Sequence, residues 1–286
     1  MLVWSKVISV NEKSFVEERF LSMAQTNAVI KRLSGSQKLQ VEVYLENENE
    51  AQDLKKELGG KVNKLEYKNW ANINASSNRP LIKIRDKILI TDNSDSKELK
   101  KIKIRYPKKI VISIPAALAF GTGDHATTST CLRMLVDIAK DLQKKKKQWS
   151  LCDIGLGTGI LPITASLMGA FEVEGFDFDP AALVIAKRNM VINSIDDINI
   201  YEQDLFDWSP KRGKTWDVIT ANIFANVLNP NLKKIWSLVS QNGHLLLSGI
   251  LKDDHGSILE NAKNNGLPIP ELHCKGKWVS FKFNKY

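Results

Sequence analysis

The chain has little of what marks a secreted, membrane-spanning or metal-stapled protein. Its three cysteines, Cys131, Cys152 and Cys274, show no C-x-x-C spacing, and its four histidines stand at no ligand spacing to them or to one another. That argues against a structural metal and against a disulfide framework. The longest apolar run, "IVISIPAALAF", is about half the ~20 residues needed to cross a bilayer. The opening residues, "MLVWSKVISVNEKSF", lack a basic segment followed by an apolar one, so no export signal is read and a cytoplasmic location is expected. No internal repeat or low-complexity segment stands out.

What is present suits a globular chain: 286 residues, 43% hydrophobic, enough for one large domain or two ordinary ones. The net charge of +9 is concentrated in "KELKKIKIRYPKK" (97–109) and "KKKK" (144–147). Such runs read either as nucleic-acid contacts or as solvated loops and edge-strand lysines that discourage pairing. Charge alone does not choose between them.

Organisation changes along the chain. "VWSKVISV" and "KLQVEVYL" alternate with period two, "AVIKRL" is a shorter strand candidate, and "KVNKLEY" closes the set. "KSFVEERFLSMA" has helical apolar spacing, and "EAQDLKKELGG" is a helix closed by glycine. The resulting β-α-β-β-α-β order predicts a small α+β ferredoxin-like domain over residues 1–66. Residues 67–109 read as a linker with one strand pair, "PLIKIRDKILIT". From residue 110 to 286 strands and helices alternate regularly, the pattern of a doubly wound α/β sheet. Strands are expected at "SLCDIG", "EVEGFDF", "INIYEQD", "DVITANI" and "GHLLLSGI", with "GKWVSFKFNKY" returning antiparallel. Helices are expected at "TGILPITASLMG", "PAALVIAKRNMVINS", "NPNLKKIWSLVS" and "DHGSILENAKNN". Ligands of such sheets bind beyond the carboxyl ends of the strands, so the loops there are the ones to read.

The first of them, "DIGLGTGIL", carries Asp153, Gly155, Gly157 and Gly159. Alternate glycines let the backbone turn sharply and let a ligand lie against bare peptide groups. Ile160 stands where a dinucleotide fingerprint needs its third glycine, so the loop disfavours NAD and favours S-adenosyl-L-methionine. Asp177 ends the second strand, where a carboxylate can accept both ribose hydroxyls of a nucleoside. Asp179 reads as an N-cap before Pro180. Asp204, after the third strand, stands near the expected adenine amino group, or is a plain turn carboxylate. Asn222 ends the fourth strand; its carbonyl can hold an amine so that the nitrogen lone pair faces a methyl donor, or it caps a strand end.

These segments, with "FGTGDHATT" and "GHLLLSGIL", resemble the PrmA family, bacterial methyltransferases of large-subunit ribosomal protein L11. The resemblance runs from about Trp70 to the C-terminus. It implies a seven-stranded Rossmann-like class I methyltransferase domain that binds S-adenosyl-L-methionine, preceded by a domain that grips the protein substrate. It further implies transfer to lysine ε-amines and an N-terminal α-amine. Carried over by position, Thr128, Gly155, Asp177 and Asn222 contact the cofactor, while Phe120 and Gly121 lie along its methionine side. His125 is either a general base or a loop pin, and Thr127 or Thr128 can cap the helix that follows. No membrane contact is expected, nucleic acid is disfavoured as substrate, and a monomer is expected. Two alternatives stay open. One is a lysine methyltransferase of another protein, such as the electron-transfer flavoprotein β subunit. The other is a nucleic-acid methyltransferase using Phe224 to stack a flipped base, although Asn222-Ile223-Phe224 lacks the two prolines of the Asn-Pro-Pro-aromatic motif.

Overall fold

The computed structural model describes residues 2–9, 12, 16, 28–32, 38–45, 47–64, 80–115, 121–145 and 147–286. The helix expected over residues 13–24, the connector around Trp70 and Phe120 lie outside the described residues, apart from Val16 in that helix. The chain divides into two compact units, Met1–Trp70 and Ala71–Tyr286.

The first unit holds strands β1 (Leu2–Ser9), β2 (Ala28–Arg32), β3 (Lys38–Leu45) and β4 (Lys61–Lys64), with helix α1 (Glu48–Leu58) between β3 and β4. The sheet order is β2-β3-β1-β4 and every pairing is antiparallel, the arrangement of a ferredoxin-like unit. Strict alternation in β3 buries Leu39, Val41, Val43 and Leu45 against Ala51, Leu54 and Leu58 of α1. Asn47 caps α1 by accepting from the Asn49 amide, and Trp4 Nε1 donates to the Gly59 carbonyl at 2.7 Å where the helix stops.

The second unit opens with a three-stranded sheet of β5 (Ile82–Ile84), β6 (Ile88–Thr91) and β7 (Ile110–Ser113). β5 and β6 form an antiparallel hairpin, while β7 joins β6 in parallel after helix α2 (Ser96–Arg105). This strand pair, expected in the connector, belongs to the second unit because Ile84, Ile88 and Ile90 bury in one core with helix α3 (Ala126–Lys144). Leu132, Leu135, Val136, Ile138 and Leu142 of α3 enter that core, and each such side chain contributes about 1.5–3 kcal/mol on burial.

The main sheet contains seven strands in the order β10-β9-β8-β11-β12-β14-β13. They are β8 (Ser150–Ile154), β9 (Glu172–Asp177), β10 (Ile198–Glu202), β11 (Trp216–Asn222), β12 (Val239–Leu251), β13 (Glu271–Lys275) and β14 (Trp278–Asn284). The first five in space are parallel, and β14 runs antiparallel between β12 and β13. Helices α4 (Ile160–Leu167), α5 (Pro180–Ile192), α6 (Ala225–Ser237) and α7 (His255–Asn264) follow β8, β9, β11 and β12. The strand order reverses between β8 and β11, which opens a crevice at their carboxyl ends.

Besides β7, which the expected strands do not include, three elements differ from the sequence expectation. Most of the basic run, residues 97–105, folds within α2, capped by Asp95, which accepts from the Lys97 and Glu98 amides; none of the helix's residues is buried, so apolar periodicity does not reveal it. α6 begins at Ala225 rather than Asn229, because buried Ala225 and Leu228 hold the first turn in place despite Pro230 inside the helix. β13 was missed, since its mostly exposed residues give no alternating signal. Among the described residues no helix is long and apolar enough to cross a membrane.

Close approach at one strand end requires glycine. Gly249 in β12 has φ +81°, and a Cβ there would lie 2.6 Å from the Ile223 carbonyl oxygen and 3.0 Å from its carbon. Backbone cannot yield as a side chain can. Gly249→Ala is therefore expected to lower stability by roughly 1–3 kcal/mol, read as a reduced midpoint in urea unfolding. An unchanged midpoint would contradict the packing described.

Candidate active site

The crevice holds a cavity of about 540 Å³, within the range of small-molecule sites. Gly121, Thr128, Asp153 and Gly155 line it, as do Gly157, Asp177, Asp204 and Asn222. Gly159 and His125 do not.

The glycine loop is set by neighbouring backbone. The Gly155 and Leu156 amides donate to the Phe176 carbonyl at the end of β9, at 2.9 and 3.1 Å. Gly155 has φ +71°, and a Cβ there would meet Ile223 Cγ2 at 2.4 Å. Gly159 also packs two helices: at φ +76° it starts α4, and a Cβ would press on Ala186 Cβ of α5 at 3.1 Å. Thr158 Oγ1 donates to the Gly121 carbonyl at 2.6 Å and so joins the 121–125 turn to the glycine loop.

Asp177 is buried and shapes the same loop. Its Oδ2 accepts from the Gly157 amide at 2.9 Å and its Oδ1 from the Asp179 amide at 3.1 Å. A carboxylate has about four acceptor positions, so capacity for two hydroxyls remains. Asp179 caps α5 by accepting from the Ala181 amide at 2.8 Å, with Pro180 at the first helical position. Asp204 Oδ1 accepts from the Phe206 amide at 2.9 Å in a turn, and the exposed residue lines the cavity.

Asp153 is 1% exposed; Oδ1 accepts from Thr220 Oγ1 at 2.5 Å, whereas Oδ2 has no partner among the described residues. Burial pushes its carboxyl up to about 7, the Thr220 hydroxyl opposes that shift, and the charge of Asp177 adds to it. Asn222 donates through Nδ2 to Thr128 Oγ1 at 3.3 Å, while its buried Oδ1 has no partner among the described residues. Two unpartnered buried acceptors thus belong to residues of one cavity wall.

His125, not Thr127 or Thr128, caps α3: its Nδ1 lies 3.4 Å from the Thr127 amide and 2.8 Å from Thr127 Oγ1. The cap falls earlier because both threonines are already inside the helix and buried. The His125 ring meets Trp278 edge-on at 5.2 Å, and Trp278 lines the cavity. Nothing in the spacing around Trp278 singles it out beforehand. Phe178, Phe206 and Phe224 also line the cavity while 74%, 55% and 69% exposed. Of these the sequence reading names Phe224; the signal for the other two is an aromatic just after a strand-end carboxylate, as in "DF" and "DLF".

Over residues 5–286 the chain matches the family model for ribosomal protein L11 methyltransferase (PrmA). The chain belongs to the PrmA family. It is 32% identical over 63% of its length to a ribosomal protein L11 methyltransferase of Fusobacterium nucleatum, and 29% identical over 76% to that of Acetivibrio thermocellus. The matched stretches span only 56% and 64% of those two proteins. The crystal structure of a ribosomal protein L11 methylase from Lactobacillus delbrueckii subsp. bulgaricus superposes with a TM-score of 0.57 at 24% identity, over 72% of this chain and 99% of that one. This likeness is one of fold, the seven-stranded class I methyltransferase sheet.

The methyl donor of PrmA-family enzymes, S-adenosyl-L-methionine, fits what the cavity offers. Buried acceptors suit its cationic and hydroxyl-bearing parts, and the left-handed glycines leave bare backbone along its path. Before a cation arrives, Asp153 costs the fold something at neutral pH. Its folded value lies above the ordinary carboxylate value, so its contribution is complete below about pH 4 and is lost as pH rises through about 7. Asp153→Asn is expected to gain on the parent by on the order of 2 kcal/mol between pH 5 and pH 8. Urea midpoints at both pH values measure this, and a difference independent of pH would contradict the burial argument.

Proposed function

We propose that the chain transfers methyl groups from S-adenosyl-L-methionine to amines of ribosomal protein L11, lysine ε-amines above all. Membership of the PrmA family supports the substrate, and the free carbonyl of Asn222 is the observation that carries the chemistry. We assign Asp177 to the ribose hydroxyls, Asp204 to the adenine edge, and Asp153 with the amides of the glycine loop to the amino-acid end. Thr128 fixes Asn222, and Gly121 borders the methionine side together with Phe120. Unit Met1–Trp70 is assigned to the protein substrate.

When bound, the cofactor supplies an electrophilic methyl group on a sulfonium. The chain's own contribution is to hold a neutral amine in line with it. Asn222 Oδ1 accepts one N–H of the incoming amine, which restricts where the nitrogen lone pair points. A lysine with a reference pKa of ~10.4 arrives as an ammonium, and the exposed phenylalanines at the cavity lower that value by removing water. The released proton passes to solvent. His125 is assigned to the loop rather than to proton transfer, since its Nδ1 faces Thr127 and it does not line the cavity.

Incubated with the chain and S-adenosyl-L-methionine, ribosomal protein L11 should gain mass in steps of ~14 Da, one methyl for one hydrogen. Asn222→Ala should lower kcat about a hundredfold, more than it lowers cofactor affinity. Unchanged L11 masses would refute the substrate, and an unaffected kcat would refute the role of Asn222. Asp177→Ala should weaken S-adenosylhomocysteine binding by about 1.5–3 kcal/mol in calorimetry; equal affinity would refute the ribose placement.

A further inference from the structure

The segment joining β10 to β11 carries Gln203, Asp204, Leu205 and Phe206 into the cavity wall. Within it the Phe206 amide donates to Asp204 Oδ1 at 2.9 Å. The Gln203 amide donates to the Asp177 carbonyl at 3.0 Å, and the Trp208 amide turns back to the Leu205 carbonyl at a long 3.4 Å. Leu205 and Trp208 bury in the core, but the Asp204 and Phe206 side chains are exposed.

One side chain closes on this segment from outside it. Lys234, in the last turn of α6, donates through Nζ to the Leu205 carbonyl, and lies 3.3 Å from the Phe206 carbonyl. Buried Leu232 and Ile235 flank it and fix the base of its stem. Burial lowers its pKa while Asp204 and Asp207 raise it, so the cation is partly dehydrated and drawn to this loop. An ammonium that ends on two successive carbonyls grips backbone, and so sets where the peptide runs. α6 itself starts beside Asn222, with Phe224 as its N-cap residue. Lys234 therefore ties the Asp204 wall to the same helix that follows the amine-holding Asn222.

We infer that Lys234 is a positioning residue, which through the Leu205 and Phe206 carbonyls fixes the wall that receives the adenine end of the cofactor. This rests on the reading of the cavity as an S-adenosyl-L-methionine site. Lys233, its exposed neighbour on the same turn, carries the same charge and supplies the control.

The test is calorimetry of S-adenosylhomocysteine with the parent, Lys234→Met, Lys234→Arg and Lys233→Met, joined to amide hydrogen exchange of residues 205–208. Lys234→Met should weaken binding roughly tenfold or more, the loss expected for hydrogen bonds made by a charged group. It should also speed exchange at those amides and leave kcat at saturating cofactor within about twofold, because the acceptor for the amine is untouched. Lys234→Arg should recover most of the affinity, and Lys233→Met should bind as the parent does. Should Lys234→Met not fold, Lys234→Gln is compared with Lys234→Arg in its place. Equal affinity of Lys234→Met and parent, weaker binding with unaltered exchange, or no recovery with arginine would overturn the assignment alone. A parent that binds no S-adenosylhomocysteine would overturn it together with the reading of the site.

Discussion

The ends of β8 and β12 approach Ile223, the residue that follows β11, more closely than a side chain on either would permit: Gly155 at its side chain and Gly249 at its backbone. Gly155, after β8, and Gly249, in β12, both stand where a Cβ would fall within 2.6 Å of an atom of Ile223. This pinch fixes the end of β11, and with it Asn222. Thr128 then takes the amide nitrogen of Asn222 and leaves its carbonyl free. Thr128 is itself placed by α3, whose first turn depends on the His125 cap and on an apolar face buried under β5 and β6. The orientation of one carbonyl thus draws on a strand order, two glycines, a helix cap and a hairpin distant in sequence.

The electrostatics of the cavity follow from the same closeness. Asp153 and Asp177 stand at adjacent strand ends, both buried, one with both oxygens engaged by loop amides and the other with an oxygen unpartnered. Their mutual repulsion adds to the burial that holds Asp153 near neutrality in pKa. A cationic ligand relieves that strain, so the cost the fold carries without ligand becomes binding energy with it. Phe178, Phe206 and Phe224 supply the apolar counterpart, and Lys234 grips the wall that carries Phe206.

Much of this was legible in the residues, for physical reasons. Parallel strands buried on both faces read as short apolar runs, and each run here closes on a glycine, carboxylate or amide that the crevice uses. Asp153, Gly155, Asp177 and Asn222 could be found in that way. The segments without such signals were missed: α2 buries nothing, β13 is an exposed edge, and Pro230 disguised the start of α6. Trp278 was invisible because only the antiparallel return of β14 brings it to the cavity. The helix cap was misplaced by two or three residues, since threonine is the stronger cap by composition and His125 is the cap in space. Gly159 keeps the spacing of a ligand loop, but its packing of α4 on α5 could be read only from the structure.

The central claim is that the free carbonyl of Asn222 and the carboxylate of Asp177 face one ligand. A crystal structure of the chain with S-adenosylhomocysteine tests it most directly. Ribose oxygens should lie within about 3 Å of the Asp177 carboxylate, with the sulfur beside Asn222 Oδ1. A ligand bound with either of those groups turned away from it would contradict the account.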